Sequence, residues 1–89
     1  MLIIYGSMLC KDCVQCVEDL KRANISFEFC DFADNIVYLS EFMHLRDQEP
    51  IFDRVKKEGN IGIPCIVGED GSISLSWDWY VCQAMPDIP

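Results

Sequence analysis

Basic side chains are scarce in this sequence: 7 Lys and Arg stand against 15 Asp and Glu among 89 residues, a net charge of −8. A surface that neutralises phosphates needs clustered cations, so no nucleic acid partner is expected. An anionic membrane surface is disfavoured on the same ground. Histidine occurs once, as His44, far along the chain from the clustered cysteines, which argues against a Cys–His hydrolase. No apolar run approaches the roughly 18 residues of a membrane span. Repeats, low-complexity tracts and linkers are lacking too, so residues 1–89 are expected to form a single domain. The opening six residues read as a strand and a turn, not as a charged n-region with an h-region and a cleavage site. A cytoplasmic location is therefore the expectation.

What the chain does have is apolar residues, at 51%, and six cysteines: Cys10, Cys13, Cys16, Cys30, Cys65 and Cys82. That apolar share is enough for a packed core. In a reducing compartment ordinary thiols stay reduced, and clustered cysteines point to redox or metal chemistry. Three of the six are spaced three apart.

Leu2, Ile3, Ile4 and Tyr5 form a short, continuously apolar run, which predicts a strand buried on both faces. From 11 to 23 the period becomes helical, with Cys13, Cys16, Val17 and Leu20 on one face. Asn24 suits the left-handed residue that ends such a helix. A second strand is predicted over 25–31. Asp34 is the expected N-cap of a helix over 36–46, with Ile36, Leu39 and Met43 as its apolar stripe. Pro50 opens a further helix through Phe52 and Val55, and residues 59–62 make a turn. A strand over 63–67 and another over 73–76 are joined by a hairpin turn at Glu69, Asp70 and Gly71. A short helix over 77–84 and a tail over 86–89 complete the chain. Trp77, Trp79 and Tyr80 are expected to cap the sheet edge, and Cys30 and Cys82 to be buried thiols.

A helix joining the first two strands implies a parallel, right-handed crossover, while the last two strands pair as a hairpin. The expected architecture is α/β, a thioredoxin-like fold with a central four-stranded mixed sheet flanked by helices.

Cys10 and Cys13 form a Cys-x-x-Cys between the first strand and the first helix. A thiol at a helix N-terminus meets unpaired N–H groups and the positive end of the dipole, which favour thiolate. The second thiol, one turn further in, is placed to attack a mixed disulfide, so the pair can cycle between dithiol and disulfide. Pro64 lies in the turn that this topology brings beside that helix. A cis peptide after Ile63 would leave the Ile63 backbone free for an extended substrate.

The segment from Tyr5 to Leu20 (YGSMLCKDCVQCVEDL) resembles the active-site segment of the glutaredoxin family. Gly62, Ile63 and Pro64 match that family's Thr-Val-Pro position, and the resemblance spans residues 2–76. It implies a thiol–disulfide oxidoreductase, with Cys10 as nucleophile, Cys13 as resolving thiol and Pro64 as cis-proline. Lys11, Asp12, Ile63 and Pro64 are the expected substrate contacts. Ser7 stands where the family has a lysine, Lys11 and Asp12 replace its Pro and aromatic, and its Gly-Gly-x-x-Asp segment is not evident. Two sets of partners therefore stand open: glutathione as co-substrate, or a protein disulfide with electrons from a flavoprotein reductase. No resident cofactor or metal is expected on this reading, and the molecule is expected to be a monomer.

The competing reading uses Cys10, Cys13, Cys16 and Cys65 as soft thiolate ligands for zinc or an iron–sulfur cluster. A bland reading makes Cys16 a small core residue and Cys65 a buried strand residue.

Overall fold

Strand β1 (Leu2–Gly6) is the axis of the molecule, and its two faces organise everything packed around it. The computed structural model describes residues 1–84, so the expected tail over 86–89 lies outside the described residues. After β1 come α1 (Lys11–Arg22), β2 (Phe27–Asp31) and α2 (Ile36–Gln48). A 3-10 turn, Pro50–Phe52, runs into α3 (Asp53–Lys57), followed by β3 (Cys65–Val67), β4 (Ile73–Ser74) and α4 (Asp78–Ala84). The sheet order is β2-β1-β3-β4, with β1 and β2 parallel and the other two pairs antiparallel. This is the α/β architecture the sequence predicts, a four-stranded mixed sheet flanked by helices and compatible with a thioredoxin-like fold.

β1 does not bury both faces equally. Leu2, Ile4 and Gly6 are buried, whereas Ile3 and Tyr5 are only half-buried, as the alternation of a pleated strand requires when one covering layer is thinner. Leu2 and Ile4 pack with Cys16 and Leu20 of α1 and with Ile66, and Trp77 and Tyr80 close this cluster. On the opposite face Phe42, Phe52 and Cys65 form a second cluster, joined by Tyr5. The register explains the division. Ile4 lies opposite Ile66 and Tyr5 opposite Cys65, so successive residues of β3 go to successive faces.

Helix α1 follows its pattern: Cys13, Cys16, Val17 and Leu20 are all buried. It also ends as expected. Asn24 takes φ 57°, and the N–H groups of Asn24 and Ile25 reach back to the carbonyls of Lys21 and Leu20 at 3.1 and 3.0 Å. That bond keeps Ile25 out of the sheet, which is why β2 starts at Phe27 and not at 25.

Helix α2 departs from its pattern twice. Its N-cap is Asn35, not Asp34: the Asn35 side-chain oxygen accepts from the Val37 N–H at 2.9 Å. The Asp34 N–H instead donates to the Asp31 carbonyl and closes the preceding turn. The expected stripe is also displaced, since Ile36 is 77% and Met43 41% exposed, while Phe42 is 1% exposed. The helix carries apolar residues on several sides, so periodicity does not choose its buried face. Aromatic packing does: the Phe42 ring lies 5.2 Å from Phe32 and 5.9 Å from Phe52 between centroids.

β3 begins at Cys65 because Pro64 has no N–H to offer a ladder. The hairpin turn is held by the Gly68 N–H on the Ser72 carbonyl at 2.8 Å and by the Ser72 N–H on the Asp70 carboxylate at 3.0 Å. β4 stops after Ser74, whose hydroxyl bonds the Ser76 carbonyl at 2.8 Å and turns the chain away. In the segment capping this side, Trp77 donates its indole N–H to Asp19 of α1 at 2.8 Å, and Tyr80 joins the core, but Trp79 is exposed. Cys82 is exposed as well, contrary to expectation, because α4 is a short surface helix with no buried residue. Among the described residues, no helix is long and apolar enough to cross a membrane.

Candidate active site

The turn between β1 and α1 is fixed by three backbone N–H groups. That of Cys10 donates to the Ser7 carbonyl at 3.0 Å, and that of Leu9 to the Ser7 hydroxyl at 3.1 Å. The Met8 N–H lies 3.4 Å from the carboxylate of Asp31, at the end of the neighbouring strand. The chain thus arrives at Cys10 in extended conformation, φ −95° and ψ 127°, and Cys10 is the N-cap of α1. Its carbonyl accepts from the Val14 N–H at 3.1 Å, while its side chain makes no capping bond. The residue is partly exposed, and its thiol sits at the positive end of a 12-residue helix.

One turn on, Cys13 is fully buried, and its side chain adjoins that of Cys10. Burial pushes the Cys13 thiol up to about 12; a hydrogen bond from the Ser7 backbone works against this, and the charges of Cys10 and Asp12 add to it. The space for this sulfur is made by the end of β1. A Cβ at Gly6 would lie 2.7 Å from the Cys13 sulfur, closer than such atoms can approach. Gly6 and Ser7 are both buried. The sequence marks Gly6 only as a turn residue; its role in housing a thiol depends on where α1 is laid across the strand.

The Ile63-Pro64 peptide is cis, the geometry the resemblance implies. The segment 60–63 runs alongside Cys10 and forms one wall of a cleft of about 620 Å³. Val55, Ile61, Ile63 and Leu75 give the cleft its apolar surface, and Cys10 and Asp12 bring the start of α1 to its edge. Gly62 is left-handed, φ 91°, and a Cβ there would meet the Phe52 ring at 2.9 Å, so the wall lies tight against the core. Arg46 fixes the same wall by donating Nε to the Ile61 carbonyl and Nη2 to the Asn60 carbonyl, both at 2.9 Å. Nothing in sequence spacing ties Arg46 to this loop. Among the described residues, neither the N–H nor the C=O of Ile63 takes part in a backbone hydrogen bond.

The expected contact residues thus fall into two groups. Cys10, Asp12 and Ile63 line the cleft together. Lys11 is exposed beside it without lining it, and Pro64 is buried behind Ile63. The other cysteines go elsewhere. Cys16 packs among Leu2, Ile4 and Leu20, with burial raising its thiol to about 12. Cys65 packs with Phe42 and Phe52 on the far face, its thiol likewise raised to about 12 by burial. Among the described residues, no three His, Cys, Asp or Glu side chains are grouped so as to hold a metal ion.

An uncharacterized protein of Haemophilus influenzae is 27% identical to this chain over 73 residues, covering 82% of this chain and 85% of that protein. No family model matches the chain, and no solved structure matches it.

Proposed function

We propose that this protein is a thiol–disulfide oxidoreductase of the glutaredoxin-like kind, working through Cys10 and Cys13. One observation carries the reading: an accessible cysteine caps the helix at the mouth of a cleft, and a fully buried cysteine adjoins it one turn below. The cycle follows from that difference in access. The Cys10 thiolate attacks a substrate disulfide R–S–S–R′, forming Cys10–S–S–R and releasing R′S⁻. Cys13 then gives up its proton to the medium or the departing thiolate and attacks the Cys10 sulfur. The Cys10–Cys13 disulfide forms, RS⁻ leaves, and the substrate has gained two electrons. An external dithiol, or two equivalents of a monothiol, restores both cysteines.

Burial serves this order of events. With its thiol raised to about 12, Cys13 stays protonated and in reserve while Cys10 is free. Bonding Cys10 to substrate removes one of the charges that hold Cys13 up, at the step when its thiolate is needed. The zinc or cluster reading draws no comparable support, since Cys16 and Cys65 pack into separate apolar clusters on opposite faces of the sheet.

The test is turnover of a disulfide-bonded protein substrate with a thiol reductant. Cys10→Ser is expected to abolish it. Cys13→Ser is expected to lose protein disulfide reduction and to accumulate a mixed disulfide on Cys10. Turnover surviving in Cys10→Ser, or unchanged in Cys13→Ser, would sink the proposal.

A further inference from the structure

Resting on that reading, we infer that the cleft takes a polypeptide disulfide whose cysteine is flanked by apolar and basic residues, in preference to a glutathione adduct. Two features of the site point that way, and a third admits any extended peptide.

The first is charge. Among the described residues, Asp12 is the one charged residue lining the cleft, and no Lys, Arg or His lines it. A glutathione adduct brings two carboxylates and one ammonium, so its net negative charge would meet a carboxylate and no cation among the described lining residues. Arg46, a cation that touches this wall, spends Nε and Nη2 on the carbonyls of Ile61 and Asn60. Lys11 lies outside the lining. A basic residue next to the substrate cysteine would instead find Asp12 and a protein of net charge −8.

The second is the apolar rim. Leu9, adjoining Cys10, is 90% exposed; Met8 is 45% and Ile61 56% exposed. Ile61 belongs to the apolar wall itself, and Met8 and Leu9 add exposed apolar side chains just before Cys10 in the chain. A longer chain with a bulky apolar residue near its cysteine would cover them. The third is the unengaged Ile63 backbone, whose N–H and C=O can both pair with an extended peptide.

The experiment uses the full chain with a thiol reductant and four probes: mixed disulfides of one chromogenic thiol with glutathione, with a blocked Leu-Cys-Lys peptide and with a blocked Leu-Cys-Glu peptide, plus bis(2-hydroxyethyl) disulfide as an uncharged control. In each mixed disulfide the Cys10 sulfur bonds to the peptide sulfur and the chromogenic thiolate leaves. The Lys peptide should exceed glutathione in kcat/KM by about tenfold and the Glu peptide by a smaller factor, with both gaps narrowing as salt rises from about 0.05 to about 0.5 M. Asp12→Asn should shrink the Lys-to-Glu ratio. Glutathione turned over as fast as the Lys peptide would overturn the inference while leaving the oxidoreductase reading intact. Failure of all four probes, the uncharged one included, would overturn both.

Discussion

Helices α1 and α2 are nearly equal in length, at 12 and 13 residues, yet they relate sequence to burial in opposite ways. α1 buries four residues on one unbroken stripe, while the single fully buried side chain of α2 is Phe42. Ile36, Val37 and Met43 of α2 face outward, and a hollow of about 470 Å³ remains over Ile3, Tyr5 and Val67 at the edge of that helix. The side carrying the dithiol is thus fixed by a continuous seam and the other side by a few aromatic anchors. The proposed redox pair needs the first kind of support. Cys10 and Cys13 stay in register with the cleft only if the start of α1 cannot rotate about the strand beneath it.

The contrast can be broken most sharply at Phe42. If the aromatic anchor holds α2, Phe42→Ala should cost about 3–5 kcal/mol of unfolding free energy, while its neighbour Met43→Ala stays within about 0.5 kcal/mol. Comparable losses in denaturant titrations would mean that α2 packs on another face. On the α1 side the sensitive point is the strand end. Gly6→Ala should cost about 1–3 kcal/mol by crowding the Cys13 sulfur, and should slow closure of the Cys10–Cys13 bond after a mixed disulfide forms. A variant with unchanged stability and unchanged closure would show that the sulfur has room to spare. The smallest effect separates the two cap residues of α2. Asn35→Ala should lose about 1 kcal/mol and Asp34→Ala less than about 0.5 kcal/mol, and the reverse order would restore the sequence-based cap.

This same contrast explains what could be read from sequence. The placement of Cys10 and Cys13 at the start of α1 is legible because it falls where a local pattern changes, from an apolar strand to a 3.6-residue period, and such patterns need no knowledge of neighbours. Asn24 as the helix terminator was legible for the same reason. The cap and buried face of α2 were not, since the choice between Asp34 and Asn35, or Met43 and Phe42, is made by what lies across the interface. Gly6, Ser7 and Arg46 support the site through contacts with α1 and with the loop at 60–61, and no spacing rule links them. The exposure of Cys82 likewise follows from the position of α4 at the surface, which its composition does not reveal.

Cys10 and Cys13 are proposed to act as one redox couple while the other buried thiols stand apart. Anaerobically purified protein should be equilibrated across a series of thiol–disulfide buffers, its free thiols trapped, and each cysteine mapped by mass spectrometry. Cys10 and Cys13 should convert together as a two-electron couple, with Cys16, Cys30 and Cys65 remaining reduced throughout. Oxidation of Cys10 without Cys13, or joint protection of Cys10, Cys13 and Cys16 until a chelator is added, would contradict it.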